Sequence, residues 1–246
     1  DRSFPRYRLV RALLRPILSS FAAFCMQSGT DVERVKILGA AEELVINSGN
    51  LKFDLQVRDV SDGELAELKH RYRLSPRLPV IAAGSTHAGE EEQVIRTFQR
   101  LLVNGCDALL VLVPRHPERC RQVAELLGRM GISCRLRSQC SEADLVLLSG
   151  EVLLVDTLGE MLDIYALSDV VFVGGSLVPV GGHNLLEASL VGRPVLFGPH
   201  MHNFREISRL LLEVGAGLQV SDELELERSF QHLLDDGSLR AEMGQA

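Results

Sequence analysis

An arginine and a histidine follow an apolar run directly in the stretch "LLVLVPRHPERC", residues 109–120. The planar guanidinium of Arg115 suits a phosphate or a carboxylate, because it donates two parallel hydrogen bonds to either group. Pro114 makes the turn that carries Arg115 rigid. A surface ion pair with Glu118 is the alternative role for this arginine. The stretch therefore predicts either an anion site or an ordinary ion pair at the end of a strand.

Six of the chain's 21 glycines lie in the segment "FVGGSLVPVGGHNLLEASLVGRPVLFGPH", residues 172–200. Glycine allows a backbone to approach a ligand closely, and N–H groups at a helix start attract a phosphate. The helix is predicted to open with Asn184, Leu185, Leu186 and Glu187. Glu187 is expected about one turn inside it, where its carboxylate would accept hydrogen bonds from ribose hydroxyls. A nucleotide is the ligand that this arrangement favours, and tight turns are the alternative explanation for the glycine pairs.

Two further loops carry polar groups between a predicted strand and a predicted helix. In "VDTLGEMLDIY", Gly159 lies just after a predicted strand and at a helix start, where backbone N–H groups can meet an anion or a base edge, although an ordinary capped helix explains the pattern as well. In "GSTHAGEEEQV", the side chains of Ser85 and His87 are expected to line the mouth of the same site.

Other residues complete the predicted site. Gly182 and His183 of the glycine-rich segment are expected to line it together with Ser85 and His87. Lys52, between two apolar residues in "GNLKFD", would project a positive charge into a cleft between two domains. A solvated surface lysine is the usual alternative.

The elements that must position these loops follow an alternating pattern. Short apolar runs alternate with longer helical patterns from end to end, which is typical of an α/β fold with a parallel sheet wrapped by crossover helices. The runs predicted as strands are FAAFCM, ELVIN, LPVIAAG, ALLVLVP, DLVLL, VLLVD, DVVFVGG, RPVLFG and GLQV. One helix is predicted to begin with a capping box of Thr30 and Glu33 and to end at Gly39. In open parallel sheets, ligands bind beyond the carboxyl ends of the strands, where all these loops would lie.

The chain is predicted to consist of two parts. The stretch 57–79 is charged, contains a glycine and two prolines, and precedes a fresh strand, so it is predicted to be an interdomain linker. Residues 80–246 would form a complete Rossmann-like domain, and residues 1–56 would be the end of a truncated, second Rossmann-like domain.

Composition excludes several classes of protein. The formal net charge is -7 and the chain lacks tryptophan, which argues against a nucleic-acid partner. Five cysteines without a C-x-x-C pair indicate reduced thiols rather than a disulfide framework or zinc site. No apolar run reaches the roughly 18 residues of a spanning helix, and no acidic D-x-D cluster indicates a metal-bound nucleotide. We therefore expect no metal and no cofactor.

The first fifteen residues are strongly basic. Their arginines are interleaved with apolar residues: Arg2, Arg6, Arg8, Arg11 and Arg15 with Leu9, Val10, Leu13 and Leu14. Such a helix lies either on an anionic membrane surface or with its apolar stripe against the protein core, and the second is the more common arrangement.

Taken in order, six motifs resemble those of the bacterial 3-deoxy-D-manno-oct-2-ulosonic acid (Kdo) transferases of lipopolysaccharide synthesis. They are "GNLKFD", "GSTHAGEEE", "LVPRHPER", "DTLGEM…Y", "FVGGSL…GGHNLLEA" and "GPHMHNF". The resemblance implies a GT-B glycosyltransferase with two Rossmann-like domains, which moves Kdo from CMP-Kdo to a lipid A precursor at the cytoplasmic face of the inner membrane. Another GT-B-type enzyme that uses a uridine nucleotide, a sugar-nucleotide 2-epimerase, or a nucleotide-binding module without activity of its own are the alternatives.

The resemblance also implies roles for residues. The loops that match the family's nucleotide site are Pro114-Arg115, Leu158-Gly159-Glu160 and Asn184-Leu185-Leu186-Glu187. The lysine that matches Lys52 is a candidate to stabilise the charge on the departing CMP phosphate. The general base and the acceptor surface belong to the family's first domain, so we expect this chain to be the donor-binding part and to transfer little Kdo alone.

Overall fold

The computed structural model describes residues 3–49 and 57–246. The chain divides into two compact units, residues 1–56 and residues 57–246.

In the described part of the first unit, two short parallel strands are accompanied by three α-helices. Strands β1 (Phe24–Met26) and β2 (Val45–Asn47) pair with Phe24 opposite Val45. The helices are α1 (Phe4–Leu9), α2 (Arg11–Leu18) and α3 (Gly29–Leu38). The predicted capping box is wrong: α3 is capped by Ser28, whose hydroxyl accepts from the Asp31 N–H, so Thr30 lies inside the helix. The predicted end of α3 at Gly39 is confirmed, with φ of 114°.

Helices α1 and α2 contain no buried residue. Leu9 is 88% exposed and Leu13 is 73% exposed. The more common arrangement, an apolar stripe packed on the protein core, is therefore not found among the described residues.

The second unit is built on one sheet of seven parallel strands. In the order β5-β6-β4-β3-β7-β8-β9, every neighbouring pair is parallel. The strands are β3 (Val80–Thr86), β4 (Leu109–Pro114), β5 (Cys134–Leu136), β6 (Val152–Leu154), β7 (Val170–Val173), β8 (Val195–Phe197) and β9 (Gly217–Gln219). The predicted α/β class with a parallel sheet is confirmed.

Helices cover both faces of this sheet. They are α4 (Asp62–Arg71), α5 (Glu91–Val103), α6 (Cys120–Arg129), α7 (Met161–Leu167), α8 (Leu186–Ser189), α9 (Arg205–Val214), α10 (Glu223–Asp235) and α11 (Gly237–Gln245). Successive strand residues enter two separate cores: Val80 and Ala82 join one cluster, and Ile81 and Ala83 join the other. The strands are continuously apolar because both faces are buried.

The run DLVLL, predicted as a strand, is mostly a loop. It forms a single bridge, between Leu147 and Leu74. The Asp144 carboxylate accepts from the Ser141 N–H at 2.6 Å, and the Glu151 carboxylate accepts from the Leu148 N–H at 2.7 Å. These side chains hold both ends of the run in turns. The strand at the edge of the sheet next to β6 is β5, which lies earlier in the chain than this run.

Residues 57–79, predicted as a linker, contain helix α4. Its cap is Ser61, whose side chain accepts from the Glu64 N–H. Leu68 and Tyr72 are buried in a core of the second unit, so this stretch is packed as part of that unit.

Candidate functional site

At the carboxyl edge of the sheet, the loops that follow four strands are bound to one another. The Gly174 N–H donates to the Gly84 carbonyl at 2.8 Å, joining the loop after β7 to β3. The Arg115 N–H donates to the Thr86 carbonyl at 2.9 Å, which joins the ends of β4 and β3. The His200 N–H donates to the Ser176 carbonyl at 2.9 Å, which adds the loop after β8. The sheet topology therefore brings several of the predicted site residues to one edge.

Ser85 lies in a bulge at this edge. The pairing of β3 with β4 passes from Gly84–Val113 to Thr86–Pro114, so Ser85 has no partner on β4. Its φ is 55°, a left-handed conformation that is rare for serine. Such bulges redirect a side chain near a site, and Ser85 is half-buried here.

Glu90 joins two of these loops through its buried carboxylate. One oxygen accepts from Gly175 N–H at 2.7 Å and His87 N–H at 3.3 Å, and the other accepts from Ser176 N–H at 3.1 Å and Leu177 N–H at 2.9 Å. Burial raises the pKa of the Glu90 carboxyl, while these four donors oppose that rise. Glu90 is not among the site residues predicted from the sequence, because nothing close to it in the chain indicates that its carboxylate faces the Gly174-Gly175-Ser176 turn.

The glycines make room for protein atoms. A Cβ on Gly84 would lie 2.1 Å from the Tyr165 hydroxyl, and one on Gly198 would lie 2.3 Å from backbone atoms of Ser176. Gly182 is buried, and its Cβ would lie 2.3 Å from the Met201 sulfur. Gly182 belongs to one of the two glycine pairs, and in the other pair a Cβ on Gly174 would lie 2.7 Å from the Ser85 carbonyl oxygen. These contacts favour the alternative explanation that the pairs serve close packing of turns.

Two of the expected backbone donors are already used. The N–H groups of Gly181 and Gly182 both donate to the Gly175 carbonyl, at 3.2 and 2.7 Å. They fold the segment back on itself, so neither N–H is directed at a ligand.

His87 and His183 meet directly. Their Nε2 atoms are 2.7 Å apart, and the ring planes differ by 3° with centroids 5.0 Å apart. The two ring centroids are farther apart than the two Nε2 atoms by about the width of one ring. The rings therefore lie side by side in nearly parallel planes and contact each other through their Nε2 atoms. Burial, and after it the electrostatic influence of the neighbouring histidines and Arg115, lowers the pKa of both rings, to about 4 for His183. Both predicted lining residues therefore lie together as a neutral pair.

Arg115 extends from this cluster with an exposed side chain. Within residues 3–49 and 57–246 it forms no ion pair, and Glu118 instead lies 3.8 Å from the Nδ1 atom of His116. The predicted alternative of an Arg115–Glu118 pair is therefore wrong, and the guanidinium is available to an anion. Pro114 is the last residue of β4 and is buried.

The segment 184–187 differs from its prediction in one respect. Helix α8 begins at Leu186, so Glu187 lies in its first turn, not one turn inside. The Asn184 side chain accounts for this position, because it accepts from the Leu186 N–H at 3.3 Å and donates to the Glu187 carboxylate at 3.2 Å. Leu185 is fully buried and Leu186 is nearly so, and the Leu186 N–H is already bound by the Asn184 side chain, so these two residues support the loop from within.

The third predicted loop, residues 158–160, leads into α7. Leu158 is 81% exposed, and Gly159 has φ of 84°. The Glu160 carboxylate is bound by Arg137 at 3.1 Å and by the Thr157 hydroxyl. The pairing with Arg137 was not predicted, because the two residues are distant in sequence and only the parallel pairing of β5 with β6 brings their loops together.

Lys52 lies outside the described residues. In the described part of the chain, no group of three or more histidine, cysteine, aspartate or glutamate side chains has the arrangement of a metal site. None of the helices described is both long enough and apolar enough to cross a membrane.

Comparisons with known proteins find similarity to Kdo transferases by sequence and by structure. A family model described as "3-Deoxy-D-manno-octulosonic-acid transferase (kdotransferase)" matches residues 1–55. The 3-deoxy-D-manno-octulosonic acid transferase of Haemophilus influenzae is 36% identical over 246 residues, which is 100% of this chain and 56% of that protein. A bifunctional glycosyltransferase/methyltransferase of Fusobacterium nucleatum is 36% identical over 94% of this chain and 35% of its own length. The chain thus spans about half, or less, of these curated relatives.

A solved structure gives a match that covers nearly a whole domain. The C-terminal CMP-Kdo binding domain of WaaA from Acinetobacter baumannii is 31% identical, with a TM-score of 0.66, over 74% of this chain and 95% of that one. The seven-stranded parallel sheet with its joined loops is thus a GT-B-like domain of a glycosyltransferase. The chain belongs to the Kdo transferase family.

Proposed function

We propose that the protein transfers Kdo from CMP-Kdo to a lipid A precursor, and that the second unit binds the donor at the carboxyl edge of its sheet. The match to a CMP-Kdo binding domain over 95% of that domain is the observation that carries the proposal. Because the chain spans about half of the curated relatives' length, transfer is proposed for the whole protein. In that reaction the bond from Kdo to the CMP phosphate breaks, an acceptor hydroxyl takes the sugar, and a general base outside this chain takes its proton.

Each nucleotide contact is proposed from the chemistry of the side chain. Arg115 binds the phosphate, because its guanidinium is exposed and free of carboxylate partners in the described chain. Glu187, held by Asn184, accepts from the ribose hydroxyls. The proposed nucleotide site also includes Pro114, Leu185, Leu186 and the loop of Leu158, Gly159 and Glu160. Lys52 stabilises the departing phosphate. With arginine and lysine in these roles, donor binding needs no metal.

Calorimetric titration of the chain with CMP, UMP and GMP in the presence of EDTA tests this function. We expect CMP to bind most tightly, and Glu187→Ala to weaken CMP by roughly 1–3 kcal/mol, the usual cost of losing a charged hydrogen-bond partner. Glu125→Ala, a matched change at an exposed helical glutamate, should leave CMP binding unchanged. Preference for UMP would favour a uridine-nucleotide enzyme, and absence of all binding would contradict the proposed site.

We also propose that the basic N-terminal helices hold the protein at an anionic membrane surface, on the cytoplasmic face of the inner membrane. Exposed arginines alternate there with exposed Leu9 and Leu13. Sedimentation with phosphatidylglycerol vesicles should recover the chain, whereas phosphatidylcholine vesicles should not. Arg8→Glu combined with Arg11→Glu should abolish the recovery, and an unchanged recovery would refute this placement.

A further inference from the structure

Three imidazoles gather at the carboxyl edge outside the groups assigned to the nucleotide. His87 comes from the loop after β3, His183 from the loop after β7 and His116 from the loop after β4. The His87 and His116 rings meet edge to face, with centroids 6.0 Å apart and planes at 87°. The cluster therefore joins three separate loops of the sheet.

The position of the pair is built into the backbone. Gly175 lies beneath the two rings, and a Cβ there would be 2.9 Å from the His183 ring and 3.3 Å from the His87 ring. Only glycine lets the rings meet at this point. Gly175 is in turn held by the Glu90 carboxylate at 2.7 Å, so the loop that seats the pair is itself fixed.

A proton count gives the charge of the pair. An N–H···N hydrogen bond at 2.7 Å needs one proton between the two Nε2 atoms, so one ring donates and the other is neutral and accepts. Burial and the positive charge of Arg115 oppose an additional proton that would make the pair cationic. The ring that accepts at Nε2 carries its own proton on Nδ1, and this N–H is the group of the pair that can donate to an anion.

Nearby carboxylates have other partners. Glu90 accepts from four backbone N–H groups, Glu91 pairs with Arg119 at 3.2 Å, and Glu118 lies by His116. In the part of the chain that the structure describes, no carboxylate forms an ion pair with His87 or His183. The cluster is complementary to an anion that the protein itself does not supply.

We propose that His87 and His183 form a subsite for the carboxylate of the sugar in the donor, beside the nucleotide site. This inference rests on the proposed function, because an octulosonic acid attached to CMP adds a carboxylate that CMP lacks. Arg115 lies on the border of the two sites and binds the phosphate. The imidazole pair then distinguishes an acidic sugar from a neutral one.

The test compares CMP with freshly prepared CMP-Kdo, on the chain and on the variants His87→Gln and His183→Gln. We expect CMP affinity to stay within about twofold of the unsubstituted chain, and CMP-Kdo affinity to fall about tenfold, which corresponds to about 1.4 kcal/mol. His232→Gln, at an exposed histidine of α10, is the matched control and should change neither. Equal losses of affinity for CMP and CMP-Kdo, or no loss of affinity for CMP-Kdo, would overturn the proposal of a carboxylate subsite.

A measurement on the unsubstituted chain covers the case in which a variant fails to fold. The imidazole NMR signals of His87 and His183 should shift on addition of CMP-Kdo and remain in place on addition of CMP. Identical shifts with both ligands, or none with CMP-Kdo, would contradict the inference. If CMP itself does not bind, the proposed nucleotide site fails instead, so the two failures are distinguishable.

Discussion

The Glu90 carboxylate accepts a 2.7 Å hydrogen bond from the backbone N–H of Gly175, and this bond joins the loop after β3 to the loop after β7. Glu90→Gln keeps the shape of the side chain but places an amide N–H₂ group against backbone N–H donors. We expect the free energy of unfolding, measured in urea, to fall by about 1–3 kcal/mol. Glu92→Gln changes only an exposed pair with Arg96, so its effect should stay below about 0.5 kcal/mol. Equal effects of the two substitutions would argue against the structural role of Glu90.

Gly198 shows whether the glycines at this edge serve close packing. A Cβ there would lie 2.3 Å from Ser176 backbone atoms, which cannot move aside as a flexible side chain would. Gly198→Ala should therefore lower the free energy of unfolding by about 1–3 kcal/mol. Gly128→Ala is the control, because Gly128 lies in α6 with nothing within 4 Å of its Cβ position and alanine favours a helix. A neutral Gly198→Ala would refute the packing argument.

A feature of this edge could be predicted from the sequence only where residues close together in the chain determine it. The strand ends, and the placement of Arg115, His87 and His183 at one edge, follow from apolar runs and from the rule that parallel strands end together, whereas the direct contact between the two histidines does not. The position of α8 did not follow, because the Asn184 side chain decides where the helix begins. Nor did Arg137 beside Glu160 or Tyr165 beneath Gly84, because these contacts depend on the order of strands in the sheet, which a single sequence leaves open.

Ser85 offers a test of backbone strain in the bulge of β3. Its φ of 55° is unfavourable for serine and more so for a β-branched residue. Ser85→Gly should leave the free energy of unfolding within about 0.5 kcal/mol, since relief of strain offsets the greater freedom of the unfolded chain. Ser85→Val should lower it by about 1–3 kcal/mol. If thermal or urea unfolding ranks the two variants alike, Ser85 does not hold this conformation in solution.

The His87–His183 pair predicts the sign of a pH effect on stability. Burial lowers the pKa of His183 to about 4, whereas the unfolded chain takes up the same proton near pH 6.5. Stability should therefore be insensitive to this group above pH 6.5, decline as the pH falls from 6.5 to 4, and level off below. His87, with a pKa lowered in the same direction, adds to the decline.

Urea unfolding of the chain and of His183→Gln at pH 7.5 and pH 5 measures this effect. The unsubstituted chain should lose more stability on acidification than the variant, which lacks the titrating ring. Parallel losses would show that the pair does not carry the pH dependence.

CMP titration of two arginine variants by calorimetry tests the proposed phosphate site most directly. Arg115 is exposed beside the histidine cluster, whereas Arg121 is an exposed arginine of α6 that pairs with Glu125 at 3.4 Å. We expect Arg115→Ala to weaken CMP binding by about 1–3 kcal/mol and Arg121→Ala to leave it unchanged. Unchanged CMP affinity in Arg115→Ala, with the sheet intact, would contradict a phosphate site at the carboxyl edge.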